Sequence, residues 1–227
     1  TVRNARGETY PSPLRAALLA EKNGGDSVTI HLREDRRHIN EFDLKRIIKK
    51  IKIPLSLEIA ATKEMLKIAS RSKPPFICVV PEKRKEITTE GGLNLNHNKT
   101  FLKLLKKKLK KRNCRVSLFI NPSLKDIKKA KKLDVDCVEI HTGKLCNLIN
   151  MKKSFKNELK KIKKSVLKGN EIGLEIHAGH GLTFDSAKIL SKIKGIQEFN
   201  IGHFLVGESI FEGMPSTIRK FKRILRT

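Results

Sequence analysis

Short β-branched runs recur along the chain, and each is followed by a stretch whose apolar residues return at helical spacing. Val28-Thr29-Ile30-His31-Leu32 reads as a strand, after which Leu44, Ile47, Ile48 and Ile51 mark one face of a helix. Leu55–Ala60 precedes a helix over Thr62–Ser70. Phe76–Val80, apolar at every position and stopped by Pro81, is the cleanest buried strand; a Gly-containing loop and a lysine-rich helix with Leu102, Leu105 and Leu109 come next. Val116–Ile120 leads through Asn121-Pro122-Ser123 into a helix over Leu124–Leu133, with Ser123 as its cap and Asp126 making a weak capping box. Cys137–His141 is the fifth strand, and Leu159, Ile162 and Val166 mark the helix after it. The sixth strand is placed at Gly173–His177 before a helix over Thr183–Ile193. The seventh is placed at Phe199–Ile201 before a last helix through Ile218, Phe221 and Leu225.

Seven strand–helix units in regular alternation, with a lone helix over Pro13–Glu21 ahead of them, predict a parallel sheet covered by helices. An open doubly wound sheet is the competing fold. No GxGxxG follows any strand and no Pro/Gly-rich linker divides the chain, so the expectation is a single α/β domain over 1–227, a (β/α)8 TIM barrel. One strand ahead of Thr1, roughly a dozen residues with its turn, would complete eight units. The chain, which starts without methionine, therefore reads as N-terminally incomplete and short of activity as it stands.

The formal charge of +27 points towards nucleic acid or an acidic membrane. The pattern changes that picture. Much of the excess sits in runs such as Lys106–Lys111, Lys128–Lys132 and Lys160–Lys164, which alternate with apolar residues at helical spacing and so read as solvated outer faces. Without tryptophan and with Tyr10 as the one tyrosine, a stacking platform for single strands has little support. No apolar run approaches the ~20 residues of a membrane span. Cys78, Cys114, Cys137 and Cys146 form no CxxC pair, which suits a reduced, cytoplasmic protein.

Five of the seven histidines, His31, His141, His177, His180 and His203, fall at or just after the carboxyl end of an expected strand. In a parallel barrel those ends meet on one face, where barrel enzymes keep their sites. Glu58 interrupts an otherwise apolar strand and, facing inward, would need a partner or a raised pKa; Glu139 sits alike in its own strand. Its bland reading is a structural ion pair, its sharper one a general acid or base. Gly179, Gly181, Gly202 and Gly207 follow the last two strands, the usual phosphate site of such barrels. His177 and His180 lie in a Gly-rich turn without the H-E-x-x-H context, so no metal site is expected.

The segments Arg3–Gly7, His31–His38, Val80–Arg84, Thr88–Gly92, Glu139–Gly143, Ala178–Leu182 and Asn200–His203 together resemble the pyridoxine 5′-phosphate synthase family. The matches run in one order through nearly the whole chain. The resemblance implies a (β/α)8 barrel assembled as a homo-octamer. It implies condensation of 1-deoxy-D-xylulose 5-phosphate with 3-amino-2-oxopropyl phosphate to pyridoxine 5′-phosphate, phosphate and water, with no metal or organic cofactor. It implies His31 and Glu58 as proton acceptors, His180 as proton donor and Glu139 as stabiliser of a transition state. Arg33, His38 and Thr88 would bind the deoxyxylulose phosphate, and Arg6, Gly181, Gly202 and His203 the amino-ketone phosphate. Two departures stand out: the family's first strand, with its Asn and Asp-His pair, has no counterpart here, and His177 stands where an asparagine is expected. Another sugar-phosphate barrel enzyme, or a basic barrel that binds RNA, are the alternative readings; no strand core carries the lysine a Schiff-base aldolase wants.

Overall fold

The computed structural model describes residues 2–82, 91–109 and 113–226. The β-branched runs form seven strands: β1 (Val28–His31), β2 (Leu55–Ala60), β3 (Phe76–Val80), β4 (Arg115–Ile120), β5 (Cys137–His141), β6 (Glu175–Gly179) and β7 (Ile196–Asn200). They lie in that order in one sheet, each parallel to the next. Helices α1 (Val2–Ala5) and α2 (Pro13–Lys22) precede the sheet. Helices α3 (Glu41–Lys50), α4 (Lys63–Ser72), α5 (Lys99–Leu109), α6 (Leu124–Lys132), α7 (Gly143–Asn150), α8 (Lys156–Glu171) and α9 (Phe184–Leu190) connect the strands; α10 (His203–Glu212) and α11 (Met214–Leu225) follow β7.

Alternate strand residues point to opposite faces, and the two faces differ in chemistry. Leu57, Ile59, Ile77, Val79, Leu118, Ile120, Val138, Ile140 and Ile176 face the helices, where Ile47, Met65, Leu105, Ile127 and Ile162 bury against them in one continuous core. Truncating one such side chain to alanine costs about 2–5 kcal/mol. The other face holds a small apolar cluster of Cys78, Val80 and Phe119 among many polar groups. Arg115 grips Glu175 there with bonds of 2.6 and 3.2 Å, and His177 Nε2 lies 2.8 Å from Glu175 Oε1. The sheet curls far enough for its two edges to touch through side chains. Thr29 Oγ1 donates to Asn200 Oδ1 at 2.9 Å, and Ser27 Oγ to Glu198 Oε2 at 3.3 Å. Seven strands, not eight, make this sheet among the described residues, and β1 and β7 form no ladder with each other there.

Four elements differ most from the sequence expectation. β6 runs Glu175–Gly179, because Gly173 (φ +69°) turns the chain after α8 and is not part of the strand. β7 starts at Ile196, five residues before its expected end, because its inward positions carry Glu198 and Asn200, which break the apolar pattern. The single helices expected after β5 and β7 are each two, with a break at residues 151–155 and at Gly213. Ser123 Oγ accepts from the Asp126 N–H at 3.4 Å as expected of a cap. Reciprocal boxes form instead at Asn40–Asp43 and Thr183–Ser186. Lysines 107, 108, 128, 131, 132, 160, 161, 163 and 164 are exposed on outer helices; Lys110 and Lys111 lie outside the described residues.

Candidate active site

At the carboxyl end of β1 and β2, His31 and Glu58 are register partners, and His31 Nδ1 stands 3.4 Å from Glu58 Oε2. The geometry settles the direction of Glu58: it faces the inside of the curl. Just beyond β3, Glu82 approaches the same imidazole from the other side, its Oε2 3.5 Å from His31 Nε2. Arg33 is buried on the loop after β1, with Nε 3.6 Å from Glu82 Oε1. Its Nε and Nη2 have no hydrogen-bond partner among the described residues.

The other half of the site comes from β5, β6 and β7. Glu139 is buried and accepts from Asn200 Nδ2 at 2.9 Å, with Cys78 Sγ 3.9 Å from the same oxygen. Thr29 fixes the orientation of Asn200 by donating to its Oδ1, which turns the amide N–H2 towards Glu139. Burial, with the charges of Glu58 and Glu198 adding to it, pushes Glu139 well above the usual carboxylate range; Asn200 and Cys78 oppose this only in part. The rings of His141 and His180 lie 4.9 Å apart between centroids, tilted by 47°, with Phe119 edge-on to both. Burial, reinforced by His180, holds His141 down at about 4; burial and then His203 lower His180. His180 has φ +77°, a left-handed conformation costly for a residue with a β-carbon. Gly181 (φ +77°) continues that turn, and Gly202, exposed, is the residue before α10, whose first turn no side chain caps.

The structure thus brings His31, Glu58, Glu139 and His180 to one end of the sheet, with Arg33 beside them. The charge of Glu58 acts on Glu139, and that of His203 on His180. His38 is half-buried and held at about 4, chiefly by burial, with His31 and Arg33 contributing. Arg6 is exposed, on a turn that the Arg3–Asp43 pair (2.6 and 2.8 Å) ties to α3 and the Asn4 bond to Arg36 O ties to the loop before it. Thr88 lies outside the described residues, as does the rest of 83–90. His177, expected beside His180, instead faces the layer below, between Glu175 and Glu198 at 2.8 and 3.6 Å, because residues two apart on a strand share a face and His180 lies beyond the strand. Sequence reasoning assigned no role to Glu82, Asn200 or Thr29. Both Asn200 and Glu82 stood in recognised segments and could have been found there, although Glu82 also opens a run of charges. Among the described residues no three His, Cys, Asp or Glu side chains are grouped to hold a metal ion, and no helix is long and apolar enough to cross a membrane.

A family model described as Pyridoxal phosphate biosynthesis protein PdxJ matches residues 1–227. The chain belongs to this family. A protein of Pelagibacter ubique named pyridoxine 5′-phosphate synthase is 56% identical over 224 residues, covering 99% of this chain and 94% of that one. Proteins of the same name from Zymomonas mobilis and Roseobacter denitrificans are 45% and 43% identical over 99% of this chain, covering 87% and 91% of their own lengths. Among solved structures, KGPDC from Streptococcus mutans superposes with a TM-score of 0.66 at 12% identity, over 94% of this chain and 92% of that one. Phosphoribosyl anthranilate isomerase from Thermotoga maritima gives 0.63 at 14% identity, over 95% of each. At such low identity these two speak for the fold alone.

Proposed function

We propose that this chain forms pyridoxine 5′-phosphate by condensing 1-deoxy-D-xylulose 5-phosphate with 3-amino-2-oxopropyl phosphate. The observation that carries the reading is the placement of His31 and Glu58, 3.4 Å apart on β1 and β2, on the same end of one parallel sheet as Glu139 of β5, bonded to Asn200, and His180 just after β6. It rests beside relatives named for that product over nearly the full chain. Imine formation, loss of water, loss of phosphate and ring closure are successive proton transfers around carbonyl carbons, and they need acids and bases of different strength in one enclosed place. His31 and Glu58 take protons from substrate carbon and nitrogen. His180, lowered by burial, is a stronger acid when protonated and returns one to a leaving oxygen. Glu139, kept neutral by burial, donates a hydrogen bond to developing negative charge as a carboxylate could not.

Arg33, His38 and Thr88 are our choice for the deoxyxylulose phosphate; the buried guanidinium of Arg33, whose Nη2 has no hydrogen-bond partner among the described residues, supports a grip on it. Arg6, Gly181, Gly202 and His203 are our choice for the second phosphate, supported by the uncapped first turn of α10. We infer a homo-octamer in the cytoplasm. Val206, Ile210 and Phe211 of α10, 58%, 80% and 84% exposed, offer an apolar face for subunit contact, and all four thiols are free and buried. The test is product formation by the purified protein: pyridoxine 5′-phosphate and phosphate should appear only when both ketone phosphates are supplied. Their absence under those conditions counts against the reading.

A further inference from the structure

Glu82 is the first residue of a run of charges that opens after Pro81 ends β3, and by composition such a run belongs in water. Its side chain is instead fully enclosed, at 0% exposure. A carboxylate in that position needs partners, and they come from the loop after β1. The Glu34 N–H donates to Oε1 at 2.9 Å, Arg33 Nε stands 3.6 Å from the same oxygen, and His31 Nε2 stands 3.5 Å from Oε2. With Glu58 facing Nδ1 at 3.4 Å, the His31 ring lies between two carboxylates.

We propose that Glu82 is a positioning residue for the reaction, holding His31 and Arg33 in place from the side opposite Glu58. The proposal rests on the reading of His31 as a proton acceptor. Both flanking distances are too long for firm hydrogen bonds, and His31 Nε2 and Glu82 Oε2 are each buried without such a partner among the described residues. A neutral ring has one N–H and can satisfy one carboxylate. With that N–H on buried Nε2, towards Glu82, the Nδ1 lone pair is left to take the substrate's proton, and the contact to Glu82 tightens once the ring is charged, as contacts of unliganded sites do along a reaction. Glu82 therefore stabilises the form of His31 that proton abstraction creates, without touching the substrate itself. Burial would raise its pKa, but His31, the Glu34 N–H and Arg33 together bring it below the ordinary glutamate value, so the negative charge is in place beforehand.

A double-mutant cycle in the full-length protein tests this. Glu82→Gln keeps the shape and the acceptor for Glu34 but removes the charge. It should lower kcat by ~10²-fold and leave KM for 3-amino-2-oxopropyl phosphate unchanged. Placed on His31→Ala, it should lower kcat no further, because residues acting as one unit are not additive. An unchanged kcat in Glu82→Gln, or the same loss repeated on His31→Ala, overturns the proposal. If His31→Ala alone keeps full turnover, the reading of His31 fails and this inference falls with it. A crippled His31→Ala beside a silent Glu82→Gln condemns Glu82 alone. Should circular dichroism show Glu82→Gln unfolded, Glu82→Asp goes through the same cycle with the same two outcomes.

Discussion

The carboxylate of Glu139 lies over the α-carbon of Gly179 on the neighbouring strand, so closely that a β-carbon there would stand 1.9 Å from Oε1 and 2.7 Å from Cδ. Gly179 is required for space, since its backbone is not in the left-handed region.

Gly179→Ala must therefore push Glu139 aside and break its 2.9 Å bond from Asn200. Displacement of a catalytic group by about 1 Å costs ~10²-fold in rate. We expect that loss in kcat with the fold retained, read by steady-state kinetics beside circular dichroism. Full activity in this variant would mean that the position of Glu139 is immaterial.

Glu139→Gln separates stability from activity. Because the folded protein holds Glu139 well above its unfolded value, near 4.5, this group favours folding at low pH and loses that contribution as pH rises through its folded pKa. Glutamine carries no such penalty and still offers an oxygen to Asn200. The variant should melt higher than the parent by a margin that grows from acid to alkaline pH, while kcat falls. A margin independent of pH would show that Glu139 ionises freely in the fold.

The histidines give the opposite slope. Burial, aided by His180, holds His141 at about 4, whereas histidines of an unfolded chain titrate near 6.5. Between those values the unfolded state takes up protons that the folded state refuses, so stability present above pH ~6.5 is lost as pH falls towards 4. His141→Asn should flatten this acid limb in a plot of melting midpoint against pH. Parallel limbs for parent and variant would contradict the burial argument.

How far the sequence carried the reading depends on which face of the sheet is asked. The outward face repeats Val, Ile and Leu, so β3 and β5 were legible to the residue. The inward face is polar, and where it dominates, as in β7 with Glu198 and Asn200, periodicity hid most of the strand. Histidines at strand ends pointed to the site because parallel topology brings such ends together. The contacts that orient them were not legible. Thr29 meets Asn200 across 171 residues and Glu82 meets His31 across two strands, and no local pattern carries such pairings. Nor could it show that His177, three residues before His180, faces a different layer.

Arg33 offers buried donors on a planar fork, and two of its nitrogens have no hydrogen-bond partner among the described residues. Arg33→Lys keeps the charge but loses the fork. KM for 1-deoxy-D-xylulose 5-phosphate should rise by ~10-fold or more, in line with loss of one charge-assisted hydrogen bond. KM for the other substrate should stay where it was. An equal rise for both substrates would remove Arg33 from the deoxyxylulose phosphate site.

The most direct test is turnover by His31→Ala, Glu58→Gln and His180→Ala, measured as pyridoxine 5′-phosphate formed from the two ketone phosphates. Removing a general acid or base costs ~10²–10⁴ in rate, so each variant should lose at least that much while its circular dichroism matches the parent. Parent-like turnover in all three would contradict the assignment of proton transfer to the cluster at the carboxyl end of this sheet.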